Sequence, residues 1–556
     1  MKKLIALLLA ASVMLGAFAG CSAILSSGEG QSNTPNTSGE ANYLRLGTDP
    51  NDTRSALKPL STAGYTTTWC LLCSTLMKYQ PETGEYVPAL AEKCEVSDDG
   101  LTYTVTLGDN TFHDGTPITA DDVVFSYNYQ IYAGGARVSL ASSLLGFNEA
   151  QNLEAETCEG IKKIDDKTVQ FTLSAPNHLF MMALANSNFG ILPAAQFEGM
   201  SWTEINEYEE FWKKPIGSGA YMIDQTQYPN YVTLKAFEDY YDPASVKNVL
   251  LTCYSDLEAA NAAYFAGQAD WIFGITAEQA DDIMAAAPDA YYKESYECSY
   301  QRWFMINQSG VAGDGTSHPS LGNARVRQAI NMLLDKQAIA AFYGEGAEPL
   351  TGHLNSSNPN YNTDLPTWER DVEGAVAILK EENFAFDIPI RIFANYTDQE
   401  TADFLELVKQ QLGEGGVQVE YTIDGNWQPY FAAGNYDFRY AGGQQAADVD
   451  WYGAFISIGG QTDLTNNYPL DDPEFVSYMT GRYDDLVAKY KASQDPNEQK
   501  EILAQLQYNA YEDMIDIPLY SLGRVSLYNN RFSMPVLTDD FYEMSDFQFS
   551  TWTLTE

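Results

Sequence analysis

The chain has 556 residues, with 31 basic and 76 acidic side chains and a net charge of −45 at neutral pH. A field of that sign argues against nucleic acid and anionic membrane surfaces as partners, and 45% hydrophobic with 13% aromatic residues excludes a disordered chain. So long a chain exceeds what one hydrophobic core holds, and two or three lobes are expected.

The N-terminus comes first. Lys2 and Lys3 precede an apolar run from Leu4 to Gly16, and Phe18-Ala19-Gly20-Cys21 closes it with small residues. That order is a secretory signal, and the run falls short of the ~20 residues a membrane span needs. A cysteine directly after Ala-Gly resembles the bacterial lipobox, with Phe18 standing where leucine is usual. Residues 1–20 are therefore expected to be a lipoprotein signal peptide, with the lipid attached at Cys21. Residues 21–41 are rich in Ser, Gly, Asn, Thr and Pro and lack apolar periodicity. They are expected to form a lipid-anchored flexible tether. The expected location is the cell membrane, on its extracellular or periplasmic face, held through the lipid alone.

Six further cysteines follow: Cys70, Cys73, Cys94, Cys158, Cys253 and Cys298. An even number in an exported chain permits disulfides. The Cys70-Leu-Leu-Cys73 spacing has no second pair at zinc spacing, and its flanks are apolar, so these two are read as buried thiols.

Strand signals begin near residue 94. Leu101, Tyr103, Val105 and Leu107 alternate with threonines, after the turn residues Asp98-Asp99-Gly100. This predicts a hairpin with Cys94 to Ser97. Thr119 is placed to cap a helix carrying Val123, Val124 and Tyr127, its hydroxyl bonding the amide of Asp122. A second hairpin runs from Ile161 to Ile164, turns at Asp165-Asp166-Lys167 and returns through Val169, Phe171 and Leu173. A helix starts near Asn323, with Val326, Ile330, Leu333 and Leu334 on one face. Ile388 to Ala394 reads as a strand, and Phe404, Leu405, Val408 and Leu412 form a helical stripe ended by Gly413, Gly415 and Gly416. Val417, Val419, Tyr421 and Ile423 then alternate as a strand. That βαβ unit predicts a parallel pair. A late helix buries Ile502, Leu503, Leu506 and Ala510.

Catalytic and metal motifs do not follow. The four histidines, His113, His178, His318 and His353, lie far apart in sequence. There is no H-E-x-x-H, G-x-S-x-G or G-x-x-x-x-G-K-[ST] pattern. The stretch from Asp448 to Gly459 starts like a calcium loop but has Tyr452 and Gly459 where ligands are required. No enzyme, no cofactor and no metal site is expected.

Longer motifs point to a family. Tyr79 to Gly84, Val87 to Glu92, Ser97 to Tyr103 and Phe112-His113-Asp114-Gly115-Thr116-Pro117 through Val123 resemble the signature of the family 5 extracellular solute-binding proteins. Pro215 to Tyr221, Ala266-Gly267-Gln268-Ala269-Asp270, and Val326-Arg327-Gln328-Ala329 with Asp335-Lys336 resemble further family motifs in the same order. These are the oligopeptide-binding components of ABC importers and their relatives. His113 reads as a turn residue within its motif.

The resemblance implies an α/β, two-lobed periplasmic-binding-protein-like fold of type II, with an extra N-terminal subdomain, closing about a hinge. Lobe I would be built from 42–66, 179–296 and 516–556, the inserted subdomain from 67–178, and lobe II from 297–515. It implies a monomer that captures oligopeptides and hands them to the permease and ATPase of an ABC importer. An oligosaccharide or other small solute is the alternative ligand, with nickel disfavoured by the few histidines. Peptide-pheromone sensing is an alternative role, and an exported hydrolase is disfavoured. It further implies that an aspartate in a Trp-x-Ala-Asp-Tyr-x-Asp-Pro segment holds the peptide's α-amino group. Here Ala447-Asp448 matches the Ala-Asp step, Gly442-Gly443-Gln444-Gln445 replaces the tryptophan, and Val449 replaces the tyrosine. Asp448 is the candidate amine anchor, Asp450 its rival, and Gln444 and Trp451 adjoin them. Trp69, Phe273, Tyr300, Trp303 and Phe304 are the further ligand-binding candidates, the last three on an expected crossing strand.

Overall fold

The computed structural model describes residues 43–48, 67–80, 83–134, 137–227, 231–254, 257–275, 277–288, 290–309, 318–344, 346–356, 358–443, 445, 447–458, 468–533 and 549–554. At 47–48, 67–68, 253, 257–258, 273–274, 294–299, 431–432, 523–524 and 549 only the backbone is described. The signal segment, the tether, Cys21 and Gln444 lie outside the described residues, as do the side chains of Cys253, Cys298 and Phe273.

One 11-stranded sheet runs through the molecule. Its strands are β1 (Tyr43–Thr48), β2 (Tyr221–Gln227), β3 (Tyr231–Ala236), β4 (Asn248–Cys253), β5 (Trp271–Ile275), β6 (Tyr291–Ile306), β7 (Glu348–Pro349), β8 (Ile390–Ala394), β9 (Val419–Ile423), β10 (Phe438–Gly443) and β11 (Asp516–Asn529). The order is β9-β8-β10-β6-β11-β5-β1-β4-β3-β2, with β7 against β11. β1 to β5 lie on the β11 side of the β6/β11 pair and β8 to β10 on the β6 side; the two groups, the second taken with β7, are called lobe I and lobe II below. The long strands β6 and β11 belong to both. They pair antiparallel from Tyr291↔Asn529 to Glu297↔Gly523 and again from Gln301↔Ser521 to Met305↔Asp516, with register shifts between Glu297 and Gln301 and between Arg302 and Trp303.

Lobe II follows the expected βαβ logic. β8 and β9 are parallel and joined by the helix Gln399–Glu414. Phe404, Leu405, Val408 and Leu412 are fully buried on that helix, each contributing about 2 kcal/mol relative to exposure. Alternation along β6 sends Phe304 and Ile306 into the core beneath this helix, and Trp303 and Met305 into the core on the opposite face. The helix Ala324–Leu333 starts at an Asn323 cap, as its sequence predicts. Its Arg327 donates to the carbonyls of Leu321, Gly322, Asp513 and Met514. That tie explains the Val-Arg-Gln-Ala motif as a structural one.

The two predicted hairpins form a separate four-stranded sheet, with Thr102–Leu107 beside Thr168–Thr172 at its centre. Tyr103, Val105, Leu107, Val169 and Phe171 fill one face. The Thr119 cap forms as expected and is reciprocated in a capping box, the Thr119 side chain facing the Asp122 amide and the Asp122 side chain reaching back. The Asp122 carboxylate accepts from both the backbone N–H and the hydroxyl of Thr119, each at 2.8 Å. Two expected boundaries shift: Trp69 to Cys73, expected in the subdomain, pack in the lobe I core, and Phe180 to Ile191, expected in lobe I, pack with Leu76 in the subdomain core.

His113 is more than a turn residue. Its backbone N–H donates to the Gly217 carbonyl at 2.9 Å, its Nδ1 accepts from the Gly217 amide at 3.1 Å, and its Nε2 lies 3.0 Å from the Gly219 carbonyl. Burial pushes the imidazole down to about 4, so it stays neutral in these bonds. Gly217 and Gly219 are required because a Cβ at either would run into the backbone of Leu71 and Leu72. One histidine thus ties two of the sequence motifs together.

Asp270 plays the matching part in lobe I. It is fully buried; its carboxylate accepts from Arg45 Nη2 at 2.6 Å, from the Arg45 amide at 2.7 Å and from Arg531 Nη2 at 3.1 Å. These bonds clamp β1 and the ends of β5 and β11. Asp270→Ala leaves two guanidinium groups without their carboxylate and should cost about 3–5 kcal/mol in urea unfolding. Glu209→Ala, which breaks the exposed pair with Lys213, should cost less than about 1 kcal/mol. Equal costs for the two would show that Asp270 is not a clamp.

Candidate functional site

The carboxyl ends of the parallel strands β8 and β10 meet the crossing strands at one edge of lobe II. Ligands of α/β proteins bind outside such edges. Five residues past β10 comes Asp448. Its Oδ1 accepts from Asn358 Nδ2 at 2.8 Å and its Oδ2 from Asn360 Nδ2 at 2.9 Å. The Asn358–Asn360 loop is itself pinned, since Gln507 Nε2 donates to the Asn360 carbonyl at 2.8 Å. Burial pushes the Asp448 carboxyl up from the ordinary aspartate value, and the two amides oppose that only in part. No cation pairs with Asp448 among the described residues.

Asp450 stands differently. It opens the short helix Asp450–Phe455, and its Oδ1 lies 3.2 Å from Lys491 Nζ. The carbonyl of the same lysine accepts from the His178 backbone N–H at 2.9 Å and lies 3.1 Å from His178 Nδ1. His178 belongs to the segment after the strand Thr168–Thr172, so Lys491 links lobe II to the subdomain side as well as neutralising Asp450.

The aromatic candidates divide. Trp303 is 1% exposed, edge-on to Trp451 at 5.4 Å and to Phe455 at 5.1 Å. Trp451 stacks on His353 at 4.9 Å with an interplanar angle of 6°. Phe304 packs with Phe404, Phe438 and Tyr440 in the opposite core. Trp69 is buried against Trp212 in lobe I, and Gly190 leaves room for its indole N–H edge. Trp69, Trp303, Phe304 and Trp451 are therefore interior rings, and any effect they have on ligand is through the walls they support. Tyr300 remains partly exposed where β6 enters lobe II. The backbone of Phe273 is in β5 beside β11. Asn358, Asn360 and Lys491, which settle the state of the two aspartates, carry no motif that would single them out in the sequence.

A buried polar group lies behind the tryptophans. His353 Nε2 is 2.7 Å from Asp516 Oδ2 and its Nδ1 is 3.3 Å from Gln301 Oε1. Nearby, the ammonium of Lys336 donates to the Leu350 carbonyl at 2.9 Å. Cys70, Cys73 and Cys158 are buried and Cys94 is partly so; burial pushes the thiols of Cys94 and Cys158 up to about 11 and that of Cys73 further. None of these three is poised for redox or metal chemistry. No grouping of three metal-ligating side chains occurs among the described residues.

Comparison with known proteins identifies the family and the fold. The profile of the Bacterial extracellular solute-binding proteins, family 5 Middle, matches residues 85–460. The chain belongs to the bacterial extracellular solute-binding proteins of family 5. It is 25% identical to the dipeptide-binding protein of Escherichia coli (strain K12), over 78% of this chain and 81% of that one. It is 26% identical to the glutathione-binding protein GsiB of Escherichia coli O1:K1 / APEC, over 83% and 84%. Among solved structures, the oligopeptide-binding protein AppA of Bacillus subtilis in complex with a nonapeptide superposes with a TM-score of 0.67, at 21% identity, covering 92% of this chain and 99% of that one. The substrate-binding protein CtaP of Listeria monocytogenes superposes with a TM-score of 0.71, at 22% identity, covering 92% and 99%. The two-lobed fold expected from the sequence is the fold observed. No helix among the described residues is long and apolar enough to cross a membrane.

The Lys336 ammonium gives a pH signature for the interior of lobe II. Burial pulls it down to about 7, opposed by Asp516. The unfolded chain keeps an ordinary value of about 10.4, so between those limits it holds more protons than the folded protein. Stability from this group therefore rises with pH across the window. The melting temperature of wild type minus that of Lys336→Met should grow from pH 7 to pH 9 in differential scanning fluorimetry. A gap that stays flat or shrinks would mean the lysine is not buried without its charge.

Proposed function

We propose that this protein captures oligopeptides between its two lobes and delivers them to the permease and ATPase of an ABC importer. The carrying observation is Asp448: a carboxylate held by two neutral amides, partly withdrawn from water, with no cation beside it among the described residues. Such a group is complementary to a protonated amine, because a buried charge is tolerated only when paired and hydrogen-bonded. Asp450 already has Lys491 and is the weaker candidate. The names of the relatives support the same ligand class, since they include dipeptide-, di/tripeptide- and glutathione-binding proteins. Tyr300 supplies a partly exposed ring at the same edge, and extended peptide would add its backbone bonds along the strand edges nearby. In this reading residues 21–41 tether the receptor to the membrane through lipid on Cys21. Lobe I is taken as 42–66, 179–296 and 516–556, the subdomain as 67–178 and lobe II as 297–515, with Trp69 to Cys73 and Phe180 to Ile191 packing across the boundaries between the first two.

Thermal shift with a peptide library and an oligosaccharide panel tests the ligand class; stabilisation by sugars alone would end the peptide reading. Asp448→Asn keeps the shape of the residue and removes its charge. It should weaken peptide binding by about 3 kcal/mol, roughly 100-fold, and N-acetylation of the peptide should do the same to wild type. The unliganded variant should melt no lower than wild type by more than a few degrees, because the lost charge was an unpaired one. Affinity that survives both changes would move the amine contact away from Asp448.

A further inference from the structure

We propose that Arg302 is a carboxylate-recognition site, so that the ligand carries an anionic group as well as an amine. This deepens the peptide reading, and rests on it only in the choice of peptides as probes.

Arg302 lies on β6 where the strand enters lobe II, opposite Gly442 of β10 and Tyr520 of β11. Its guanidinium carbon is 3.8 Å from the ring centre of Tyr396, 5.2 Å from that of Tyr300 and 5.4 Å from that of Tyr440. Nη1 is enclosed and has no hydrogen-bond acceptor. No carboxylate pairs with the side chain among the described residues. Space for it depends on Gly442, where a Cβ would run into Nη1 and come within 2.8 Å of the Tyr396 hydroxyl.

Position separates this arginine from a merely structural one. Tyr396 follows the end of β8 and Gly442 lies at the end of β10, so the cage sits at the carboxyl edge of the parallel strands. Asp448 follows from the same end of β10. Arg327, a deeply buried arginine of lobe II, is saturated by four backbone carbonyls. Arg302 has aromatic faces around its plane instead. Rings stabilise the charge across that plane but accept nothing from the N–H groups at its edge. A planar anion fits that edge, because a guanidinium fork matches a carboxylate in both spacing and charge. Arg302 as a whole retains partial exposure, which leaves an approach for it.

The test is calorimetric titration of wild type, Arg302→Met and Gly442→Ala with three peptides of one length. The first has a free C-terminus and no acidic side chain, the second is its amide, and the third is an amide with an internal glutamate. Wild type should bind at least one carboxylate-bearing peptide about 30-fold or more tighter than the neutral amide. Arg302→Met should erase that difference while binding the neutral amide as wild type does, and Gly442→Ala should reduce it. A preference for the first peptide assigns the contact to the ligand's C-terminus, and a preference for the third assigns it to an acidic side chain. Equal affinities of wild type for all three peptides would overturn the proposal, without any variant having to fold. So would an equal loss on all three in Arg302→Met. Should no peptide bind, the peptide reading falls by itself. Glutarate and galacturonate then decide the carboxylate site: binding by wild type that is lost in Arg302→Met supports it, and no binding overturns it.

Discussion

The antiparallel pairing of β6 with β11 is the constraint on which the rest of the structure depends. Both strands run from one lobe into the other, so the two lobes share a single sheet. Where the chain passes between lobes, the ladder shifts between Glu297/Gly523 and Gln301/Ser521. A register shift leaves residues unpaired and lets strands bend. The connection is thus continuous enough to hold the lobes together and weakest in hydrogen bonds at the point where they diverge. Tyr300 and Arg302 follow directly from that break, which places side chains of the sheet itself at the mouth between lobes.

Buried charge is used in two ways. Asp270 in lobe I and Asp437 in lobe II each precede a strand, are fully buried and are saturated: Asp437 accepts from the amides of His318 and Arg391, each at 2.8 Å. Such groups fix strand ends, because removing any partner strands a charge in low dielectric. Asp448 and Arg302 are withdrawn from water in the same manner yet lack a countercharge among the described residues. Stability alone does not favour that arrangement. A charge that is solvated by fixed dipoles and paired only by a ligand converts its desolvation cost into selectivity.

Local structure was legible in the sequence wherever period and turn chemistry agreed. The threonine-interleaved strand after Asp98-Asp99-Gly100, the hairpin around Asp165-Asp166-Lys167 and the β8–helix–β9 unit all formed close to their predicted bounds. The reciprocal half of the Thr119 cap was not legible, since Asp122 closes the box where a longer Glu or Gln is usual. The aromatic candidates on β6 also exceeded what alternation can tell. Alternation correctly opposed Trp303 to Phe304, but lobe II covers both faces of its sheet, so each side chain became core. Among the described side chains of β6 in lobe II, Tyr300 and Arg302, beside the break in the ladder, escape that double cover.

The choice between Asp448 and Asp450 shows why a site is harder to read than a fold. The two residues are two positions apart in sequence and alike in chemistry. What separates them comes from far along the chain: Asn358 and Asn360 on one side, Lys491 on the other. Lys491 in turn is bound through its carbonyl by His178, whose ring lies tilted against that of Tyr490 at 5.3 Å. The lysine that neutralises Asp450 is therefore held in place by the contact between lobe II and the subdomain side. The contrast between the two aspartates rests on Asn358, Asn360 and Lys491, none of them in the segment that carries the aspartates.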